Sequence, residues 1–233
     1  MSRMNDYGQP IGEEVALALP RPRPEPVVLE GRLVRLEPLR PDHASGLFAR
    51  VGGTQNAALW TYMPQGPFPD AAGFEAWITG ACDSRDPLFF AIAAQDGGAV
   101  LGFASFLRIT PEAGSIEVGF IMFSGALQGT AMATEAMALM MGHAFDTLGY
   151  RRYEWKCDAL NGPSRRAAER LGFSYEGTFR QATVYKGRNR DTAWFAATDR
   201  DWPRLRAGFA AWLAPENFDA DGRQRCSLAE CRG

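Results

Sequence analysis

The stretch that decides the fold is Leu127-Gln128-Gly129-Thr130-Ala131-Met132-Ala133-Thr134-Glu135-Ala136. A strand-like run precedes it at residues 115–123, and a segment rich in Ala, Met and Leu follows it as far as residue 149. This order predicts a strand, a short turn and a long helix. A helix that starts with small residues exposes backbone N–H groups, and its dipole adds partial positive charge, so this end favours phosphate. The alternative is an ordinary helix start without a ligand.

The composition is typical of a globular protein, in which any charged ligand must be held by a local site. The chain has 233 residues, 46% of them hydrophobic, and its 25 basic residues nearly balance 27 acidic ones. No global charge favours nucleic acid or an anionic membrane surface. Four cysteines and two histidines show no metal-ligand spacing, so we expect no metal site and reduced thiols, as in the cytoplasm. The only apolar run near the N-terminus, residues 15–19, is too short for a signal sequence or a membrane span.

Three segments are predicted along the chain. Residues 1–26 end in alternating prolines, which favour an extended polyproline II backbone that serves as a spacer or lies on the domain. A ligand for a proline-binding module is the alternative. Residues 27–213 form the domain, and residues 214–233, which show little periodicity, are predicted to be a frayed tail.

Within the domain the patterns predict an α+β fold. A strand at 33–39 and a helix to 51 precede an aromatic loop at 52–69, which either lines a pocket or fills the core. After a helix at 70–82, strands at 88–94, 99–109 and 115–123 form an antiparallel meander. The helix from 131 leads to a parallel strand at 150–157, followed by a short helix that ends at Gly172, a hairpin over residues 187–189 and a last helix at 201–213. This order is not that of a Rossmann fold.

The motif Gln128-x-x-Ala131-x-Ala133 resembles the pyrophosphate-binding signature of the GNAT acyltransferases, Gln/Arg-x-x-Gly-x-Gly/Ala. Ala131 replaces the usual Gly, which keeps the N–H but disfavours positive φ. The order of segments over residues 30–200 also resembles the GNAT order. The resemblance therefore implies a GNAT-type mixed, mostly antiparallel sheet flanked by helices. Ile-Glu-Val-Gly-Phe at 116–120, Ala-Thr-Glu-Ala at 133–136, Asn161-x-x-Ser164 and the run at 176–180 resemble the RimJ/RimL branch in particular.

The resemblance implies an N-acetyltransferase that takes acetyl-CoA as co-substrate and an amine acceptor, either a small molecule or a protein N-terminus. We expect neither nucleic acid nor a membrane as partner, and a homodimer is compatible with the sequence. The pantetheine arm is expected to pair like an added strand, where a backbone N–H faces the developing negative oxygen. The residues expected to bind the cofactor are Ile121, Met122, Phe123, Gln128, Gly129, Thr130, Ala131, Met132, Ala133, Thr134, Asn161 and Ser164.

Two residues are the candidates for catalysis. Ser164 is the expected proton donor to the departing thiolate, although a serine near a helix start often only satisfies backbone donors. Glu117 is the expected general base, on a strand whose alternation places it on one face with Gly119, Ile121 and Phe123. The alternative for Glu117 is a solvated strand residue paired with an arginine such as Arg108.

Two other polar residues are expected to have structural roles, and a group on the closing hairpin has two alternative roles. His143 is read as a packed or rim histidine, and Glu135 as a residue that stabilises the first turn of its helix. A group on the closing hairpin either binds an anionic acceptor or forms a solvated tip: Arg180, Tyr185, Arg188, Asn189 and Arg190. Because Ala131 departs from the signature, an acyl-CoA-binding sensor without turnover is the rival from another functional class.

Overall fold

The structure is a computed structural model that describes residues 3–233. The strands are β1 Arg3–Met4, β2 Pro10–Ile11, β3 Leu29–Glu30, β4 Val34–Pro38, β5 Leu88–Ala94, β6 Val100–Thr110, β7 Ser115–Phe123, β8 Arg152–Asp158, β9 Ser174–Tyr185 and β10 Arg188–Thr198. The helices are α1 His43–Val51, α2 Ala71–Cys82, α3 Ala131–Gly142, α4 Gly162–Leu171, α5 Trp202–Leu213 and α6 Leu228–Arg232. Short 3-10 helices lie at Thr54–Trp60 and Pro215–Asn217. None of the helices in residues 3–233 is both long and apolar enough to cross a bilayer.

Eight strands form one sheet in the order β3-β4-β5-β6-β7-β8-β10-β9, and β1 pairs separately with β2. Neighbouring strands in the large sheet are antiparallel except β7 and β8, which are parallel. A parallel pair needs a crossover connection, and α3 supplies it. The predicted α+β fold with a mixed, mostly antiparallel sheet is therefore confirmed.

Each face of the sheet buries its own hydrophobic core. The α1-side core joins the first half of the sheet to α1, α2 and the 3-10 helix at Thr54–Trp60, which we call the 3-10 segment. Leu47, Trp60 and Phe74 are fully buried in it. The α3-side core runs under α3, α4, α5 and α6. Burial of Trp60, whose Nε1 donates to the Val51 carbonyl at 2.7 Å, shows that this part of the aromatic loop fills the core.

A β-bulge in β7 changes which residues share a face. Gly119 pairs with Ser105 and Met122 with Phe103, so β7 contains one more residue than β6 over this stretch. Phe120 takes up the extra residue with φ of 48°. The predicted alternation is therefore wrong beyond Gly119: Ile121 and Phe123 pack toward the α3-side core, while Phe120 and Met122 pack toward the α1-side core.

The long helix differs from the sequence prediction in two ways that affect the site. The long helix is α-helical only to Gly142 and continues as a π-turn over His143–Thr147. Glu135 does more than stabilise its own first turn, because its buried carboxylate accepts hydrogen bonds from the N–H groups of Arg32, Leu33 and Val34 at 3.0, 2.6 and 2.8 Å. It thereby ties α3 to the loop that leads into β4.

His143 is packed, as predicted. Its ring stacks on Phe106, with centroids 6.0 Å apart, and burial lowers its pKa.

The hairpin between β9 and β10 is tighter than predicted. β10 begins at Arg188, and the turn consists of Lys186 and Gly187, with φ of 48° and 69°. Two successive residues with positive φ match the twist of the flanking strands.

The C-terminal residues are folded, so the expectation of a frayed tail is wrong. Leu228 on α6 is 2% exposed within the α3-side core. The Asn217 side chain donates to the carbonyls of Trp212 and Cys226 at 2.9 and 3.2 Å, and Arg232 donates to the Arg170 carbonyl at 2.8 Å. The weak periodicity of this segment reflects anchoring by a few polar side chains rather than by a continuous apolar face.

The N-terminal arm lies against the domain at its proline-rich end. The Arg21 N–H donates to the Pro111 carbonyl at 3.0 Å, and its Nε donates to the Leu148 carbonyl at 2.9 Å. Pro24 is buried. Of the two sequence interpretations, a spacer or an arm on the domain, the contacts of Arg21 favour the second.

Candidate active site

The strands β7 and β8 separate partway along their length. Residues Ser115–Val118 of β7 pair in parallel with residues Arg152–Trp155 of β8. Beyond this paired stretch β7 continues to Phe123 and β8 to Asp158. The bulge at Phe120 bends β7 at the point where the pairing stops. A cleft therefore opens between the two strands beyond Val118 and Trp155.

The cleft has an available strand edge where the sequence predicts one. Met122 and Phe123 pair on one side with Phe103 and Gly102 of β6. A Cβ on Gly102 would lie 2.3 Å from the Met122 carbonyl oxygen, so glycine is needed for this close approach. The other edge of residues 121–123 faces the gap left by β8, where an extended ligand can add hydrogen bonds.

The α3 turn, defined as residues 127–134, enters the helix with its left-handed conformation at Gly129. Gly129 has φ of 72°, and a Cβ there would meet nothing within 4 Å. Thr130 is the N-cap, and its hydroxyl oxygen accepts from the Ala133 N–H at 3.2 Å. Ala131 is already the first residue of α3. The positive φ that alanine disfavours falls on Gly129, and the departure from the signature places no strain on this turn.

Not all the predicted N–H groups of the turn are free. Those of Thr130, Ala133 and Thr134 donate to the Leu127 carbonyl, the Thr130 hydroxyl and the Thr130 carbonyl. Gly129, Ala131 and Met132 have no backbone or side-chain acceptor within the described chain, which is the usual state of a first helical turn. The Gln128 side chain donates to the Phe123 carbonyl at 2.8 Å and so ties the turn to the end of β7.

Asn161 and Ser164 meet at the start of α4, beside the cleft. Asn161 is the N-cap, because its Oδ1 accepts from the Ser164 N–H at 3.2 Å. Ser164 Oγ accepts from Trp155 Nε1 at 3.0 Å. An indole N–H can only donate, so the Ser164 hydroxyl keeps its own hydrogen for another acceptor. Cys157 lies next to it: burial raises the pKa of that thiol, and the Ser164 hydroxyl acts in the opposite direction.

Glu117 lies on β7 just before the cleft opens, and it is held by two cations. Arg108 Nη1 lies 2.8 and 2.9 Å from its two oxygens, and Lys156 Nζ lies 2.9 Å from Oε2. The Glu117 side chain is 3% exposed. Burial raises the pKa of Glu117, although Lys156 and Arg108 both oppose this. The sequence alternative of a pair with Arg108 is thus observed, but in a buried setting and not in a solvated one.

The ion pairs extend from Glu117 across the sheet as an alternating row that we call the charged cluster. Lys156 Nζ also lies 2.7 Å from Glu154 Oε2. Arg152 in turn lies 2.6 Å from Glu154 and 2.8 Å from Glu176 on β9. The members in order are Arg108, Glu117, Lys156, Glu154, Arg152 and Glu176. Glu154 and Lys156 were not predicted from the sequence. Their signal was the alternation of Glu154 and Lys156 with Tyr153, Trp155 and Cys157 along β8.

The β9–β10 hairpin contacts the 3-10 segment. Lys186 Nζ donates to the Trp60 carbonyl at 2.7 Å, and Arg188 donates to the Thr61 carbonyl at 2.8 Å. The Tyr185 hydroxyl donates to Asp158 at 2.7 Å; burial and this carboxylate raise the pKa of Tyr185 to about 12. The hairpin is therefore a structural bridge at Tyr185, Lys186 and Arg188, and binding of an anionic acceptor by this hairpin stays a prediction.

Comparisons with known proteins agree with this geometry. The model of the family "Acetyltransferase (GNAT) domain" matches residues 33–174, more than half of the chain. A crystal structure of a GCN5-related N-acetyltransferase from Brucella melitensis is 48% identical, covers 94% of this chain and 99% of that one, and has a TM-score of 0.91. The Uncharacterized N-acetyltransferase p20 of Bacillus licheniformis is 29% identical over 113 residues, which span 48% of this chain and 63% of that protein, less than two thirds of its length.

A fourth similarity concerns the fold alone. The structure of RimL, a ribosomal alpha-N-protein acetyltransferase in complex with coenzyme A, is 21% identical with a TM-score of 0.63, and the match covers 74% of this chain and 98% of that one. The family match and the relative from Brucella melitensis decide the assignment. The chain belongs to the GNAT family of acetyl-CoA-dependent acetyltransferases.

Proposed function

We propose that the protein transfers an acetyl group from acetyl-CoA to a primary amine, with both substrates bound together. The observation that carries this proposal is the cleft between β7 and β8, which has a free strand edge on one side, the α3 turn at its end and a buried carboxylate at its apex. These three features supply the binding and proton-transfer groups that direct attack of an amine needs.

The residues present fit acetyl-CoA. The free N–H groups of Gly129, Ala131 and Met132 sit at the positive end of the α3 dipole, where a pyrophosphate is favoured. Residues 121–123 offer the edge for the pantetheine arm, and Asn161 and Ser164 lie at the start of α4, where Ser164 contacts Trp155 of β8. When bound, acetyl-CoA supplies the activated acetyl group as a thioester.

We propose Glu117 as the general base. An acceptor amine is mostly protonated at neutral pH, so a nearby carboxylate must take up its proton, directly or through a water molecule. Gly119 lies beside this carboxylate: a Cβ there would lie 3.5 Å from Glu117 Oε1 and only 2.9 Å from Leu107 Cδ2, so glycine lets Leu107 pack close to the strand. The raised pKa of Glu117 brings its basicity closer to neutral pH, which suits a base.

We propose Ser164 as the donor of a proton to the departing sulfur. Its hydroxyl hydrogen is not engaged by Trp155, which donates to the same oxygen, and α4 holds the side chain beside the end of β8. The capping function falls to Asn161, so Ser164 is not needed to cap its helix.

The acceptor is a protein N-terminus or a small-molecule amine. The RimJ/RimL-like segments of the sequence favour the first, since characterised members of that branch acetylate N-terminal amines, and the fold likeness to RimL is compatible with it. The rival interpretation, an acyl-CoA sensor without turnover, loses its support because Ala131 does not strain the turn. The cytoplasmic location and the homodimer stay predictions.

The test is a screen for acetyl-CoA-dependent release of CoA with amino acids, N-terminal peptides and aminoglycosides. Turnover with one class identifies the acceptor. Thermal stabilisation by acetyl-CoA without turnover across the whole panel would favour the sensor, and absence of both would remove either interpretation.

A further inference from the structure

Lys156 occupies a distinctive position in the cleft. Register pairing of β7 with β8 ends at Trp155, so Lys156 is the first residue of β8 beyond the paired stretch. Its side chain is only 6% exposed, and its Nζ lies 2.9 Å from Glu117 Oε2 and 2.7 Å from Glu154 Oε2. The same Nζ lies 3.7 Å from the centroid of the Trp194 ring, which adds a cation–π contact.

The two cations that touch Glu117 are unequal. Arg108 reaches it with a side chain that is 60% exposed, so water and salt screen this pair. Lys156 is enclosed with Glu117, where the effective dielectric constant is lower and the same charge acts more strongly. A buried carboxylate without a close cation favours its neutral form, and that form cannot accept a proton.

We propose that Lys156 is a positioning residue for acetyl transfer: its ammonium holds the Glu117 carboxylate ionised and in place at the apex of the cleft. This proposal rests on the proposed function, in which Glu117 is the base. The proton transfer that it supports moves one proton from the acceptor ammonium to a Glu117 oxygen, which leaves a neutral amine and a neutral carboxyl group.

Glu154 limits the strength of this effect. It is the second carboxylate on Lys156, and Arg152 and Glu176 continue the row beyond it. Because the ammonium is shared between two carboxylates, Glu117 keeps part of the basicity that a lone lysine partner would remove. The charged groups that face Glu117 are thus Arg108 from β6 and Lys156 from β8, and Glu154 acts on it through Lys156.

The decisive measurement is the titration of Glu117 itself, without any acceptor. Protein labelled with carboxyl-13C glutamate is titrated by NMR, and the Glu117 signal is assigned by its loss in Glu117→Gln. Lys156→Met is expected to move the Glu117 titration to higher pH, Lys156→Arg to leave it close to wild type, and Glu154→Gln to move it to lower pH because Lys156 then serves Glu117 alone.

The matched control is Arg152→Met, which removes a cation from the same row without touching Glu117. It is expected to shift the Glu117 titration much less than Lys156→Met does, because Arg152 acts on Glu117 only through Glu154 and Lys156. If Lys156→Met does not fold, the downward shift in Glu154→Gln decides the matter. Equal titrations in wild type, Lys156→Met and Glu154→Gln, or shifts of both variants in the same direction, would overturn the proposal.

Turnover supplies the second readout. With an amine identified by the CoA-release screen, Lys156→Met is expected to lower kcat at neutral pH by about tenfold and to recover as pH rises, because the base ionises later. If the NMR shifts appear but Glu117→Gln turns over like wild type, Lys156 still sets the ionisation of Glu117, and it is the base assignment under the proposed function that fails. A kcat that falls equally at every pH in Lys156→Met would mark a structural role only and overturn the positioning proposal.

Discussion

The α3 turn and the charged cluster meet at β7, which leads into the turn and carries Glu117, but they use different parts of the chain. The turn presents backbone N–H groups, and those of its N–H groups that find a partner within the described chain donate to residues within ten positions. The charged cluster is made of side chains from β6, β7, β8 and β9 that approach one another only in the folded sheet.

This difference has physical consequences for how each region responds to change. Backbone donors persist through most side-chain substitutions, and their charge does not titrate, so the turn depends on conformation. The cluster depends on ionisation, since its enclosed carboxylate, Glu117, is opposed there by Lys156 and Arg108. Substitutions at the turn should therefore alter binding at all pH values, and substitutions in the cluster should alter the pH dependence of turnover.

The largest expected effect is at Gly129. Gly129→Asp places a carboxylate beside the expected pyrophosphate, and repulsion should abolish stabilisation by acetyl-CoA. With the wild type, ligand at about a hundred times its Kd adds about 2.7 kcal/mol, which corresponds to about 5–10 °C in Tm for a chain of this size. Differential scanning fluorimetry with and without acetyl-CoA measures the change.

Gly129→Asn is the matched control, because asparagine has the same shape without the charge and tolerates the positive φ of this position. It should retain most of the Tm shift. Equal loss in both variants would mean that glycine is needed for its conformation and that the turn binds no phosphate.

The second effect concerns Glu117. Glu117→Gln should keep the affinity for acetyl-CoA while kcat falls by on the order of a hundredfold. A raised pKa means that the carboxylate becomes available as pH rises through that value, so wild-type kcat should climb toward neutral pH, whereas the variant recovers only at high pH where the amine deprotonates unaided. Wild-type turnover by the variant across about pH 6–9 would place the base elsewhere.

The order of elements from β4 to α5 was predictable because it depends on local patterns. Alternation, the Asp96-Gly97 turn and the Gly172 stop each act within a few residues, and the single parallel pair followed from the crossover through α3. The entry into α3 was predictable for the same reason. Ala131 took its helical place because Gly129 absorbs the left-handed conformation.

The rest of the site was not predictable in the same way. The bulge at Phe120 forces positive φ on a residue that rarely adopts it, so no turn residue marks it, yet it exchanges the faces of Ile121 and Met122. Lys156 carries no signal of its own, since a lone lysine in a strand is usually solvated. Lys156 contacts two carboxylates only because the parallel register sets Glu117 beside Glu154.

A third effect, on folding and not on binding or turnover, tests whether the C-terminal segment matters to either region. Leu228, the first residue of α6, is nearly fully buried in the α3-side core, so Leu228→Ala should lower the free energy of unfolding by about 2–4 kcal/mol. Leu160→Ala is the control, because Leu160 is 80% exposed, and such a change stays within about 0.5 kcal/mol. Urea denaturation measures both.

The affinity for acetyl-CoA should persist in Leu228→Ala below its unfolding transition. A loss of affinity in the folded variant would show that α6 acts on the α3 turn, and the route would be Arg170, which accepts from Arg232 at its carbonyl and donates to the Thr134 hydroxyl at 3.0 Å.

The smallest expected effect is at Ala131, where the chain departs from the sequence signature but the structure shows no strain. Restoring the signature glycine with Ala131→Gly removes a methyl from the first helical residue, whose φ is not positive, so no strain is relieved. The helix should lose up to about 1 kcal/mol of stability because glycine is a poorer helix former. The Kd for acetyl-CoA, measured by calorimetry, should stay within about threefold of wild type, since the N–H is the same in both residues. A tenfold gain in affinity would show instead that the methyl crowds the pyrophosphate, and the turn would then depend on side-chain volume as well as on its backbone.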